Sequence, residues 1–293
     1  MQEYQRNKLK GYIENSELVN INKDLKIRLS KDLLENYNNG SYNDRLNLMI
    51  EHVKLIDDLK IKYPGNAKPV FYLYVVPTNN FRELLNFPSF RNYTIGGKTV
   101  PSYDLDGFNS AYGMSENVLT TKEKSNIMNT VNNIHEFAHL VHSMFFNRDR
   151  FIDEGFAEAL PLYTMDYESQ FDEHRKMLQT LKEEQILSAQ QLIELTDKGN
   201  FDMGVIIPNK SCAFDVSYIS SYLFIRGCLE TISSNYDLDK VQATQNFLEI
   251  VRESQYTKQW LVFDIANAIG LPQEELLHGK EIQLNVIKKL SNF

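Results

Sequence analysis

The chain has 293 residues, 42% of them hydrophobic, 24% charged and 12% aromatic, a balance that supports a substantial core and excludes a disordered chain. A formal net charge of −8, with the lysines scattered, offers no positive field for a phosphate backbone, so no nucleic-acid partner is expected. Cys212 and Cys228 form no C-x-x-C pair, which excludes a disulfide framework and a thiolate zinc knuckle; both are expected as free core thiols.

The opening residues "MQEYQRNKLKGYIENSELV" lack the apolar stretch of a secretory leader, and no window has the apolar length of a membrane span. A soluble, cytoplasmic protein with no membrane partner is therefore expected. Residues 1–66 read as a helical N-terminal segment, because Leu46, Met49, Ile50, Val53, Leu55, Ile56 and Leu59 recur at helical intervals before Pro64-Gly65. His52, in this helix, reads as a surface or boundary histidine. "KPVFYLYVVP" (68–77) is a β-branched apolar run between prolines and suits a buried strand. Residues 78–120 are punctuated by Gly96-Gly97, Pro101, Gly107 and Gly113, and "SAYGMSENVLTT" suits two short strands near a sheet edge.

Thr120 and Glu123 fit a capping box that opens a helix. Along it Ile127, Val131, Ile134, Ala138, Val141 and Phe145 step by four and three, one apolar stripe. Beyond residue 165 helices are expected at 168–186, 188–197 behind a Ser188 cap, 215–234, 238–254, 257–268 and 280–291. The expected layout is an N-terminal helical segment (1–66), a sheet lobe with zinc-binding helices (67–165) and a helical C-terminal lobe (166–293).

"HEFAH" (135–139) lies on the striped helix. At about 100° per residue, His135 and His139 sit one turn apart on nearly the same face, so both rings can reach one ion. Glu136 is rotated about 100° further, where a carboxylate can take a proton from a metal-activated water without ligating the metal. Downstream, "FIDEGFAEALP" (151–161) places Glu154 and Glu158 one turn apart beside Phe156, Ala157 and Leu160, with Pro161 limiting the segment. Two carboxylates on a partly apolar helix need a positive partner, which Zn²⁺ and its histidines would supply. Glu154 is assigned as third ligand and Glu158 as acceptor of a ligating histidine's other ring N–H, the reverse assignment being the alternative. His142 lies too far along the axis to share the ion, and reads as a substrate contact or as a packing or surface residue. The competing readings are a chance H-E-x-x-H in a chain with six histidines and a two-helix core without metal.

"HEFAH" followed by "DEGFAE" resembles the gluzincin zinc metallopeptidases, most of all their peptidase-MA-like branch, the group that includes thermolysin and aminopeptidase N. The resemblance implies an α+β fold, a thermolysin-like catalytic unit with a small mixed sheet lobe and a mainly helical C-terminal lobe. It implies Zn²⁺ held by His135, His139 and Glu154, with Glu136 as general base, acting on a peptide or protein substrate. Fourteen residues separate His139 from Glu154, a shorter linker than in the aminopeptidases. Metzincins are excluded, because Phe145 stands where they carry their third histidine. "DVSYISSYLFIRGCLETI" (215–232) resembles the family's downstream helix, from which a tyrosine points at the cleft; Tyr218 is the expected oxyanion donor, with Tyr222 as substitute. An edge strand from about 108–120 is expected to align the peptide by β-addition. The resemblance covers about residues 115–275, and a non-catalytic binding scaffold that retains the fold is the alternative function.

Overall fold

The computed structural model describes residues 14–20, 25–30, 58–62, 71–75, 92–95, 98–101, 110–113, 116–119, 131, 134–135, 138–139, 141–142, 149–170, 172–201, 206–208, 213–254 and 258–291. Most of the expected helix over 43–63, with His52, lies outside them, as do Thr120, Glu123, Ile127, Glu136, Phe145 and Cys212. The chain divides into two compact units, Met1–Leu140 and Val141–Phe293.

Seven strands are described in the first unit: β1 (Ser16–Asn20), β2 (Leu25–Ser30), β3 (Phe71–Val75), β4 (Asn92–Ile95), β5 (Lys98–Pro101), β6 (Ser110–Gly113) and β7 (Glu116–Leu119). Five are joined in the order β1-β2-β3-β7-β6, with β4 and β5 pairing separately. β2 runs parallel to β3, with Ile27 beside Leu73, and β3 parallel to β7, with Leu73 beside Asn117. The outer pairs, β1 with β2 and β6 with β7, are antiparallel. Within 1–66, expected as helical, the described residues include the strands β1 and β2 and a helical residue at 58. "LKIRLS" (25–30) alternates apolar and polar residues, a period of two that fits a pleated strand better than a helix.

The second unit begins its described run with α1 (Arg150–Ala159), which passes into a wider helical turn over Leu160–Thr164. Pro161 was expected to end the segment; the chain instead keeps turning, with Met165 N–H donating to Leu160 O five residues back. A proline ring crowds the carbonyl four residues behind it, and a wider turn relieves that clash. The expected helix over 168–186 is broken into a 3₁₀ turn (Tyr167–Gln170), α2 (Asp172–Gln179) and a second 3₁₀ turn (Glu183–Gln185). Then come α3 (Ala189–Asp197), the short ribbon β8 (Ile206–Pro208) and β9 (Ala213–Asp215), α4 (Val216–Tyr236), α5 (Lys240–Glu253), α6 (Gln259–Ile269), α7 (Gln273–His278) and α8 (Glu281–Ser291). Ser188 caps α3 as expected, its hydroxyl accepting from Gln191 N–H. Asp239 caps α5 in the same way through Gln242.

α4 is the axis of this unit. Ile219, Leu223, Phe224, Ile225, Cys228, Leu229 and Ile232 are buried around most of its circumference, so it must be enclosed rather than laid on a surface. α1, α3, α5, α6 and α8 all pack against it. Two glycines let backbones meet. A Cβ at Gly155 of α1 would lie 2.5 Å from Ser221 O and 2.7 Å from Ile225 Cγ1, and one at Gly227 would lie 3.0 Å from Ile282 Cβ.

The expected fold class, α+β with a thermolysin-like catalytic unit of small mixed sheet lobe and helical lobe, is overturned. The part of the molecule whose packing is described is 80% helical. The physical reason is α4: a helix buried around most of its circumference is satisfied by a jacket of other helices, and its neighbours supply that jacket.

Candidate metal centre

Residues 131, 134–135, 138–139 and 141–142 are helical. Val131, Ile134, Ala138 and Val141 are buried, as the apolar stripe predicts. His135 is half-buried and His139 buried beside that stripe. Their rings meet edge to face with centroids 4.8 Å apart, and the two Nε2 atoms lie 3.2 Å from each other. That spacing is a test of fit. Two imidazole nitrogens at about 2.0–2.1 Å from a tetrahedral zinc stand roughly 3.3 Å apart.

α1 carries the acidic half. Asp149, at its N-cap position, makes no side-chain cap; its carboxylate accepts from Lys258 N–H, and burial raises its pKa. Asp153, in the first turn, is buried and lies 2.8 Å from His142 Nδ1 through its Oδ1. His142 is 1% exposed and stacks on Phe156 with centroids 5.5 Å apart, so of its two readings the packing role is the one found. Glu154 is buried and ion-paired to Arg150, Nη1 to Oε1 at 2.8 Å. Glu158 is half-buried one turn later. Each buried carboxylate here has a partner, which at Asp149 counters its desolvation only in part.

His135 and His139 lie in the first unit and Glu154 in the second. Two imidazoles and a carboxylate, all at least half-buried, are a donor set that zinc accepts.

The two tyrosines of α4 part ways. Tyr218 is half-buried, lies against Phe201 with ring centroids 5.4 Å apart, and accepts a hydrogen bond from Arg150 Nη2 at 3.2 Å. Tyr222 is 1% exposed and donates to Glu168 Oε1 at 2.7 Å. It belongs to a buried network in which Arg226 donates to Glu168 Oε2 and, at 2.8 Å, to Tyr222 Oη, while Arg226 Nε reaches Glu230 at 2.9 Å. Burial alone would raise the Glu168 pKa, but hydrogen bonds from His174 and Tyr222 and the Arg226 charge outweigh it and hold the carboxyl below its usual range. A phenol so engaged is not available to a substrate, so Tyr222 does not serve as the substitute for Tyr218.

Arg150 was not singled out from the sequence, although "RFIDE" places it four residues before Glu154, the spacing of a helical ion pair. Arg226 and Glu168 were missed for a different reason: they meet across 58 positions, and no local signal marks them. Compared with known proteins, the chain matches no family model, no curated protein and no solved structure. Among the described residues no helix is long and apolar enough to cross a membrane.

Proposed function

We propose that the chain is a zinc-dependent peptidase acting on a peptide or protein substrate, with His135, His139 and Glu154 holding the metal. The observation that carries this reading is the pair of imidazole Nε2 atoms 3.2 Å apart on the segment that reads H-E-x-x-H, with a buried Glu154 on the segment that reads D-E-G-F-A. When bound, a zinc ion at these ligands supplies Lewis acidity to a carbonyl and makes water acidic near neutral pH. Glu136 accepts the proton of the attacking water and delivers it to the leaving amine. Tyr218 donates to the developing oxyanion. Glu158 accepts the remaining ring N–H of a ligating histidine and fixes its tautomer. Elemental analysis of the purified protein should find about one zinc per chain, and a mixed peptide library should be cleaved in a chelator-sensitive way. A protein that takes up no added zinc, or cleavage indifferent to chelator, overturns the reading.

A second reading, a non-catalytic peptide- or protein-binding scaffold, has one observation in its favour. Glu154 is already neutralised by Arg150 at 2.8 Å, so the buried carboxylate is satisfied by protein alone. The peptide-library assay with and without chelator separates the two, since a scaffold cleaves no peptide whether or not it holds the ion.

A further inference from the structure

We propose that Arg150 is a positioning residue of this centre, an inference that rests on the metal-dependent reading above. One guanidinium on the first turn of α1 meets both groups assigned to the chemistry. Nη1 lies 2.8 Å from Glu154 Oε1, and Nη2 donates to Tyr218 Oη at 3.2 Å. An isolated pair four residues apart on a helix surface would contribute little. This one differs in two respects: the Glu154 side chain is 3% exposed, so water screens it poorly, and the same fork reaches a third residue 68 positions away on another helix.

Guanidinium chemistry makes the arrangement directional. Arginine offers only donors, in a rigid planar fork. With Oε1 of Glu154 held by that fork at 2.8 Å, the carboxylate is fixed against rotation. Tyr218 Oη must accept from Arg150, so its one proton points to some other acceptor. A cation on the oxygen's lone pair also polarises that O–H and strengthens it as a donor. Arg150 therefore does two jobs at once: it fixes the Glu154 carboxylate, and it ties the Tyr218 phenol to it as a hydrogen-bond acceptor.

The test compares wild type, Arg150→Gln and Arg150→Lys. Each is titrated with Co²⁺ as a spectroscopic stand-in for Zn²⁺, reading the visible absorption band and the dissociation constant. Thermal unfolding and hydrolysis of a quenched-peptide mixture are followed alongside. Arg150→Gln should melt below wild type, because the buried Glu154 loses its charged partner, bind Co²⁺ roughly 10–100-fold more weakly and show a shifted band. Arg150→Lys restores charge beside Glu154 without a fork, so Co²⁺ binding should recover to within several-fold, while kcat stays low at little-changed KM. An unchanged Co²⁺ affinity and band in Arg150→Gln, or full recovery of kcat in Arg150→Lys, overturns the role of Arg150. Wild type that binds neither Co²⁺ nor Zn²⁺ overturns the metal-dependent reading itself, so the two failures are told apart. If Arg150→Gln unfolds, the split between binding and kcat in Arg150→Lys decides alone.

Discussion

Replacing Gly155 by alanine adds one carbon at the point where α1 lies against α4. That carbon would sit 2.5 Å from Ser221 O, 2.7 Å from Ile225 Cγ1 and 2.8 Å from Ser221 C. Carbon and oxygen in close but tolerated contact stand about 3.3–3.6 Å apart, so α1 must back away by roughly 0.8–1 Å, since the nearest atom is backbone and cannot rotate aside. Alanine in a helix interior gains about 0.5–1 kcal/mol over glycine, and forced overpacking costs about 1–3 kcal/mol, so a net loss of about 1–2 kcal/mol is expected. For a unit of this size that is a fall in Tm of roughly 2–8 °C, read by calorimetry or by the urea midpoint. The displacement has a second reading. Arg150 and Glu154 ride on α1 while Tyr218 rides on α4, so the 3.2 Å bond from Arg150 to Tyr218 should be lost and Co²⁺ binding should weaken with it. An alanine variant as stable as wild type or more so, with unchanged Co²⁺ affinity, would show that helix propensity outweighs the contact and would refute the reasoning.

Glu136→Gln should keep zinc and lose hydrolysis by about 10²–10⁴-fold, measured as kcat on the peptide mixture; unchanged turnover removes Glu136 from the mechanism. Glu168→Gln strips one partner from a buried charge and should cost about 3 kcal/mol by urea denaturation, the low end of such losses because Glu230 still faces Arg226. The Glu168 pKa is depressed in the folded state, so its stabilisation is fully present above the unfolded value near 4.5 and is lost as pH falls through the lower folded value. The stability gap between wild type and Glu168→Gln should therefore shrink below about pH 4, and a gap independent of pH contradicts the assignment. Cys228 is fully buried and burial pushes its thiol up, so it should resist alkylation in the native protein and react only on unfolding; rapid native labelling counts against the packing of α4.

What could be read from the sequence was what neighbours in the chain decide. The caps of α3 and α5 pair residues three positions apart, Ser188 with Gln191 and Asp239 with Gln242, and the helices behind them start where that chemistry puts them. The apolar stripe through Ile134, Ala138 and Val141 and the pairing of His135 with His139 are likewise matters of helical pitch. Expectations failed where distant partners decide. The break after Tyr167 serves Glu168, whose partners Arg226 and Tyr222 lie more than fifty residues on. The thermolysin-like sheet-and-helix expectation came from the resemblance of two short motifs, which says nothing of how a helix buried around most of its circumference, α4, must be enclosed by other helices. Pro161 obeyed its local rule only halfway, because the chain had a wider turn available to it.

The enclosure of α4 also sets a clock. Its central amides, from Ile219 to Ile232, are wrapped by five other helices, and no partial opening of one neighbour bares them to deuterium. They should exchange only when the whole unit comes apart, in step with its global equilibrium, while the ends of α7 and α8 trade protons far sooner.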